Sequence, residues 1–417
     1  MYLKLILFSV LLVIVGAEKV RYDNYGLYKV HPENEEHLKF LKDLYTNDEG
    51  YDFWTPPRLV GEFVNIVSPP ELKEELEHSL KKRSIRAELK VENIQEAFDA
   101  QIISRKKRNA NDGLYWTNYQ TMEDIYAWFD RLEARYAFVK KITIGQSYEG
   151  RDITGIKISR NDSSRAIFLH AGEVGADWLS PTVLAHIADQ LIHSDDRETR
   201  AAAEEFTWYI FPVANPDGFQ FSQDSVRGWI KNRRPTNATT TGIDLSKNWN
   251  AQWGVSGGSF DARDDNYIGL GPFSEPETRF LSNFIQAIGT SLTGFFSFRA
   301  YGQKLLLPFA HSSDPMYNYN EMIIIARRAM GSLAVRYDTQ YRVGTSKNIH
   351  DGATGSIVDW VKHRFNPTLA ATYLLRDTGY WGYTLPPNQI VPTAEETLDS
   401  LLAIIREAKF INVLPSS

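Results

Sequence analysis

An α/β domain built on a central, largely buried sheet, with a small α+β domain ahead of it, is the architecture this sequence predicts. Three observations carry it. From Leu114 onward, amphipathic stretches of helical length alternate with short apolar runs, the pattern of a sheet covered by helices. Residues 19 to 103 alternate shorter strand-like and helix-like segments. Between the two lies a cationic run, Arg105-Lys106-Lys107-Arg108, followed by the turn-forming stretch Asn109-Ala110-Asn111-Asp112-Gly113, as an exposed linker requires.

Taken in order, the chain opens with MYLKLILFSVLLVIVGAEKV, one early lysine before an apolar run that ends in the small residues Val15, Gly16 and Ala17. This reads as a signal peptide over residues 1–17, cut after Ala17, and implies a secreted, extracellular protein. The run is shorter than the roughly 20 residues that span a bilayer, and no later segment is long and apolar enough, so no membrane span is expected. In the small domain, assigned to 18–108, GLYKV, RLVGEFVNIV and IRAELKVE read as strands. ENEEHLKFLKDLYT and PPELKEELEHSLKKR carry apolar residues at helical spacing, and Pro69-Pro70 marks entry to the second. The basic run reads either as a solvated linker or as a processing site cleaved after Arg108. In the large domain, assigned to 109–417, TMEDIYAWFDRLEARY and SPTVLAHIADQLIHS read as helices, and AIFLHA, FTWYIFPVA and TGFFSF as buried strands. Binding sites in such folds lie at the strand ends.

The 417 residues carry a net charge of −6 with 43 % hydrophobic and 13 % aromatic residues, which leaves no basic footprint for nucleic acid. There is no cysteine, so an exported chain must rely on core burial alone, which this length permits. The sequons Asn161-Asp162-Ser163 and Asn237-Ala238-Thr239 fit a secretory route.

Four stretches then carry a resemblance. WYIFPVANPDGF (208–219), GIDLSKNWNAQWG (242–254), GPFSEPETRF (271–280) and LLRDTGYWGYTLPPNQIVPTAEET (374–397) closely resemble secreted zinc carboxypeptidases of the A/B type. The resemblance covers Leu114 to about Leu414, and YKVHPENEEHLKFLKDL with YDFWTPP looks like that family's activation propeptide. It implies a mixed eight-stranded twisted sheet flanked by helices, with an α+β prosegment over the active-site face. It also implies a zinc ion held by two histidines and a glutamate, a glutamate general base, and arginine and asparagine groups for the substrate carboxylate and the oxyanion.

Position by position, this chain departs from that set. The first ligand pair of the family lies in a stretch of the form DAGxHAREWxSP after a strand. Aligning IFLHAGEVGADWLSP without gaps puts His170 on the aspartate, Val174 on the zinc histidine, Ala176 on a substrate-contacting arginine and Asp177 on the zinc glutamate. His170 and Glu173 have ligand types and spacing, but using them as ligands needs a deletion before and an insertion after. The third ligand position is Arg299, whose protonated guanidinium cannot bind zinc. The general-base position is Leu374 and the oxyanion position Ile230. The carboxylate-gripping positions are Ser246 and Lys247, the mobile clamp is His350, and the floor of the side-chain pocket is Ile357. No zinc or other cofactor is therefore expected. Asp177 and Arg299 are expected to pair across the former metal cavity; the alternative leaves Arg299 to solvent and Asp177 to backbone donors.

Two functions remain. One is a non-catalytic pseudoenzyme that binds peptide C-termini, through Lys247 above an apolar floor, or an extracellular protein, with its own prosegment as a further partner. The other is an active zinc-dependent carboxypeptidase removing apolar C-terminal residues, with His170, Glu173 and another ligand rebuilding the metal site.

Overall fold

The computed structural model describes residues 19–47, 50–102 and 116–415. The expected signal peptide and the processing site at Arg108 lie outside the described residues.

The small domain runs Gly26–His31 (β1), Glu35–Thr46 (α1), Asp52–Phe53 (β2), Val64–Ser68 (β3), Lys73–Lys82 (α2), Arg86–Val91 (β4) and Ile94–Gln101 (α3). Its antiparallel sheet has the order β2-β3-β1-β4. Asn34 caps α1 by accepting from the His37 amide, and Leu38, Leu41 and Leu44 make its buried stripe. Of RLVGEFVNIV, only the last part forms a strand. Gly61 at φ +83°, a region that suits glycine, turns the chain so that Arg58, Leu59, Glu62 and Phe63 line a cavity shared with the large domain. The short helix α3 carries too few apolar residues for its period to stand out, yet Asn93 caps it and Ile94 and Phe98 are buried.

Strand alternation gives this sheet two apolar faces. Tyr28 and Val30 point to Leu41, Leu76 and Leu80 on α1 and α2, whereas Leu27 and Val67 join Trp54, Ile94, Phe98 and Tyr301 of the large domain. The second face holds the two domains together.

The large domain continues with Met122–Arg135 (α4), Val139–Gln146 (β5), Asp152–Ile158 (β6), Ala166–Ala171 (β7), Leu179–His193 (α5), Arg197–Glu205 (α6), Thr207–Phe211 (β8), Pro216–Asp224 (α7), Pro276–Ile288 (α8), Leu292–Arg299 (β9), Lys304–Leu307 (β10), Tyr319–Tyr337 (α9), Arg342–Thr345 (β11), Ser346–Ile349 (α10), Ile357–Phe365 (α11), Leu369–Leu374 (β12) and Ile390–Phe410 (α12). The sheet order is β11-β10-β12-β9-β7-β8-β6-β5. It is mixed: β12, β9, β7 and β8 run parallel, while β5 and β6 and the β10–β12 pair are antiparallel. Alternate residues of β7 separate into two core layers, Ile167 and Leu169 with α4, α5, α9 and α12, and Ala166 and Phe168 with α8 and α11. Burial on both faces explains why AIFLHA reads as an unbroken apolar run.

Candidate functional site

The parallel strands β7, β9 and β12 end side by side, which gathers their C-terminal residues into one place. Register pairs Arg299 at the end of β9 with Leu374 at the end of β12, and His170 with Ser297 across β7 and β9. Val174, Ile230, Lys247, Arg299, His350 and Leu374 all line one cavity beyond these ends. Trp54, Arg58, Glu62 and Phe63 of the small domain form its roof. Gly355 shapes the wall, since a Cβ there would lie 2.3 Å from the Lys247 carbonyl oxygen.

Asp177 and Arg299 do not pair. The Asp177 carboxylate accepts from the Ser180 amide at 3.0 Å, the Ser180 hydroxyl at 2.5 Å and the Ala300 amide at 2.7 Å. It sits at the entry to α5, where these donors lie within reach and leave it no need of a cation. The alternative holds for Asp177 only: Arg299 does not turn to solvent but stays in the cavity, donating a 3.3 Å hydrogen bond to Ser246 Oγ. Burial opposes its charge, but Glu173, Asp244 and Asp351 together hold its pKa above the ordinary value.

Lys247 is likewise committed. Its ammonium forms an ion pair with Asp244, and Ser246 Oγ donates to the same carboxylate at 2.7 Å. Although burial alone would raise the Asp244 pKa, Lys247 and Ser246 bring it below the usual range. The short turn Leu245–Lys247 produces this closure, with Asp244 as its cap. His350 is held neutral, its pKa pushed down to about 4 chiefly by burial.

His170 is fully buried, with Nδ1 3.2 Å from Ser297 Oγ and Nε2 3.9 Å from Glu173 Oε1. Burial, and then Arg299, push its pKa down to about 3. Glu173 accepts from Trp249 Nε1 at 2.9 Å. Burial raises its pKa to about 7, against the pull of Arg299 and the Trp249 hydrogen bond. The two residues do meet, deep below the cavity.

Comparison with known proteins decides the lineage. The zinc carboxypeptidase profile matches residues 125–400, and the carboxypeptidase activation peptide profile matches residues 28–101. The chain belongs to the zinc carboxypeptidase family. It is 36 % identical over 406 residues to zinc carboxypeptidase A 1 of Anopheles gambiae, covering 96 % of this chain and 93 % of that protein. To zinc carboxypeptidase A 1 of Drosophila melanogaster it is 35 % identical over 426 residues, covering 97 % and 98 %. In fold it is similar to the crystal structure of thrombin activatable fibrinolysis inhibitor, with a TM-score of 0.85 at 23 % identity, covering 92 % of this chain and 98 % of that one. The small domain is thus an activation-peptide domain, and the mixed eight-stranded sheet is that of the carboxypeptidases.

The family's zinc does not fit the residues at the strand ends. Zinc takes sulfur, imidazole nitrogen or carboxylate oxygen donors in a tetrahedral set. Val174 offers no donor atom, Asp177 is occupied by Ser180 and Ala300, and Arg299 brings a fixed cation. Among the described residues no group of three or more His, Asp or Glu side chains could hold a metal ion.

Ile357 does not form a pocket floor. It is 2 % exposed, packed with Trp249, Trp360 and Phe295 in the lower core layer. The next residue, Val358, lines the smaller cavity beside Lys247 and Arg299. Ser356 caps α11 through the Asp359 amide; both residues at its start belong to the lower core layer, and Val358, 3 % exposed, also reaches the edge of that smaller cavity.

Sequence reasoning also missed Arg227, three residues before Ile230 in RGWIKNRR. It is buried between the domains, donating to Ala176 O at 2.7 Å, Gln101 Oε1 at 2.9 Å and Tyr383 O at 2.8 Å, with Trp178 3.7 Å from its guanidinium carbon. Burial pushes its pKa down to about 9. Only Asp244, three residues before Lys247, had a local signal, the spacing of an ion pair across one turn.

Proposed function

We propose that this chain is a secreted, non-catalytic member of the zinc carboxypeptidase family whose cleft binds peptide C-termini or another extracellular protein under control of its prosegment. What supports this most is the donor chemistry at the strand ends. Arg299 and Leu374 are register partners, so the cation and the apolar side chain stand together at the positions where the family resemblance puts a ligand and the general base. Leucine cannot take a proton from water, and Ile230 offers the oxyanion no charge. Of Lys247 and Arg299, the first is tied to Asp244 and the second is left to meet a carboxylate, while Val358 borders the adjoining smaller cavity.

Metal content of the purified, prosegment-cleaved protein, measured with turnover of a C-terminal peptide substrate, tests this reading. Zinc well below stoichiometric, with no turnover above background, is expected; stoichiometric zinc with cleavage overturns it. The second reading is an active zinc-dependent carboxypeptidase. It draws support from the activity in the names of the insect relatives and from the meeting of His170 and Glu173, whose Nε2 and Oε1 lie 3.9 Å apart. It would still need a third ligand and a base.

A further inference from the structure

One carboxylate of the roof, that of Glu62, reaches two cations of the large domain. Glu62 Oε2 of the activation-peptide domain lies 2.5 Å from Lys304 Nζ, and its Oε1 pairs with Arg342. Lys304 is almost enclosed, with a side chain 7 % exposed, while that of Arg342 is 59 % exposed. The only other hydrogen bond of the Lys304 ammonium in the described structure goes to the Ile349 carbonyl at 2.7 Å. These two cations come from adjacent parallel strands, β10 and β11, where Lys304 and Arg342 are register partners. Their positions are therefore fixed by the sheet of the large domain, independently of Glu62.

Two cations at paired positions of neighbouring strands, whose backbones run about 4.8 Å apart, are a costly arrangement without an anion between them, because like charges on neighbouring strands repel. In the intact chain Glu62 supplies that anion; although burial opposes its ionisation, Lys304 and Arg342 bring its pKa below the ordinary glutamate value. Loss of the prosegment takes Glu62 away and leaves Lys304, which lines the same cavity as Arg299 and Leu374, with Arg342 beside it on the neighbouring strand. We propose that Lys304 and Arg342 form a carboxylate-binding subsite, filled in the intact chain by Glu62 and offered to an acidic side chain of a bound peptide when the prosegment leaves. This rests on the reading of the cleft as a peptide-binding groove and adds to it a preference: the ligand carries Asp or Glu at the point that reaches β10 and β11. The prosegment loop from Arg58 to Phe63 marks the approach of such a ligand, since Arg58 also donates to Gly257 O at 2.7 Å and Phe63 stacks on Tyr301.

The full chain carrying Glu62→Ala tests this, because Arg342 is reachable from solvent without removing the prosegment. Acetyl-Ala-Glu-amide, its glutamine counterpart and free acetate are titrated calorimetrically at low salt. The glutamate peptide is expected to bind the variant at least tenfold more tightly than it binds the wild type, where Glu62 competes, and at least tenfold more tightly than the glutamine peptide. Adding Arg342→Ala, a change at an exposed position, should abolish that preference even if Lys304→Met proves unable to fold. Acetate binding as well as the peptide assigns the recognition to the carboxylate alone; acetate failing while the glutamate peptide binds adds contacts from the peptide backbone, and either supports the subsite. Equal binding of the glutamate and glutamine peptides, or no gain on removing Glu62, overturns it. Zinc content and turnover are read separately, so these failures are distinct from failure of the non-catalytic reading.

Discussion

Glu173→Gln should stabilise this protein at alkaline pH and do little at acid pH. The side chain is buried, accepts from Trp249 Nε1 at 2.9 Å, and has its pKa raised from 4.5 to about 7, chiefly by burial. A carboxyl whose folded pKa lies above its unfolded one stays protonated longer in the native state. Its contribution is intact below pH 4.5 and is lost as the pH rises through 7. At 1.36 kcal/mol per pH unit between the two values, the loss is about 3 kcal/mol by pH 8, and about 1 kcal/mol at pH 5. Glutamine keeps an oxygen for Trp249 and carries no charge, so it escapes that loss. His170, held neutral down to about pH 3 by burial, is uncharged in the native state at both pH values and does not enter the difference. Urea unfolding of wild type and variant at pH 5 and pH 8, followed by tryptophan fluorescence, reads the effect directly. The expected gain of the variant grows by about 2 kcal/mol between the two. A gain that is the same at both pH values would refute the claim that a buried, ionising Glu173 is responsible.

Three further outcomes follow from the same contacts. Asp177→Ala strands the Ser180 and Ala300 amides and should cost about 2–4 kcal/mol in chemical unfolding, whereas Arg299→Leu should cost far less through Asp177, since no hydrogen bond or ion pair joins the two. Gln101→Ala removes one acceptor of the buried Arg227; about 1–3 kcal/mol of the prosegment attachment should go with it, seen as faster cleavage of the prosegment by added protease. Ile357→Ala should lower stability by about 2–5 kcal/mol while leaving peptide affinity unchanged, whereas Val358→Ala should lower stability and weaken peptide binding as well, both measured by unfolding and by titration.

Much of the fold was legible because burial writes itself as periodicity. Helices α1 and α4 and the strand AIFLHA could be read off the residues. The motif positions carried the cleft: Val174, Ile230, Lys247, Arg299, His350 and Leu374 do line one cavity. What failed were the pairings inside it. The sequence places Asp177 and Arg299 at two corners of one former site, and Coulomb attraction alone would join them. Only the backbone of α5 and of residue 300 shows that three hydrogen-bond donors reach Asp177 first, and short-range directed bonds satisfy a buried carboxylate without a cation. The floor of the pocket likewise turned on one step of a helix: Ile357 and Val358 are both packed in the lower core layer, and Val358 is the one that also borders the smaller cavity. By itself the sequence determined which chemical groups stand at the strand ends, Val174, Arg299 and Leu374 among them. Tertiary structure alone decided which charges neutralise one another, Lys247 with Asp244 and Glu62 with Lys304 and Arg342. The reason is physical: composition and spacing fix the charges a chain carries, but a partner is chosen by distance, and distances between residues hundreds of positions apart exist only once the sheet has formed.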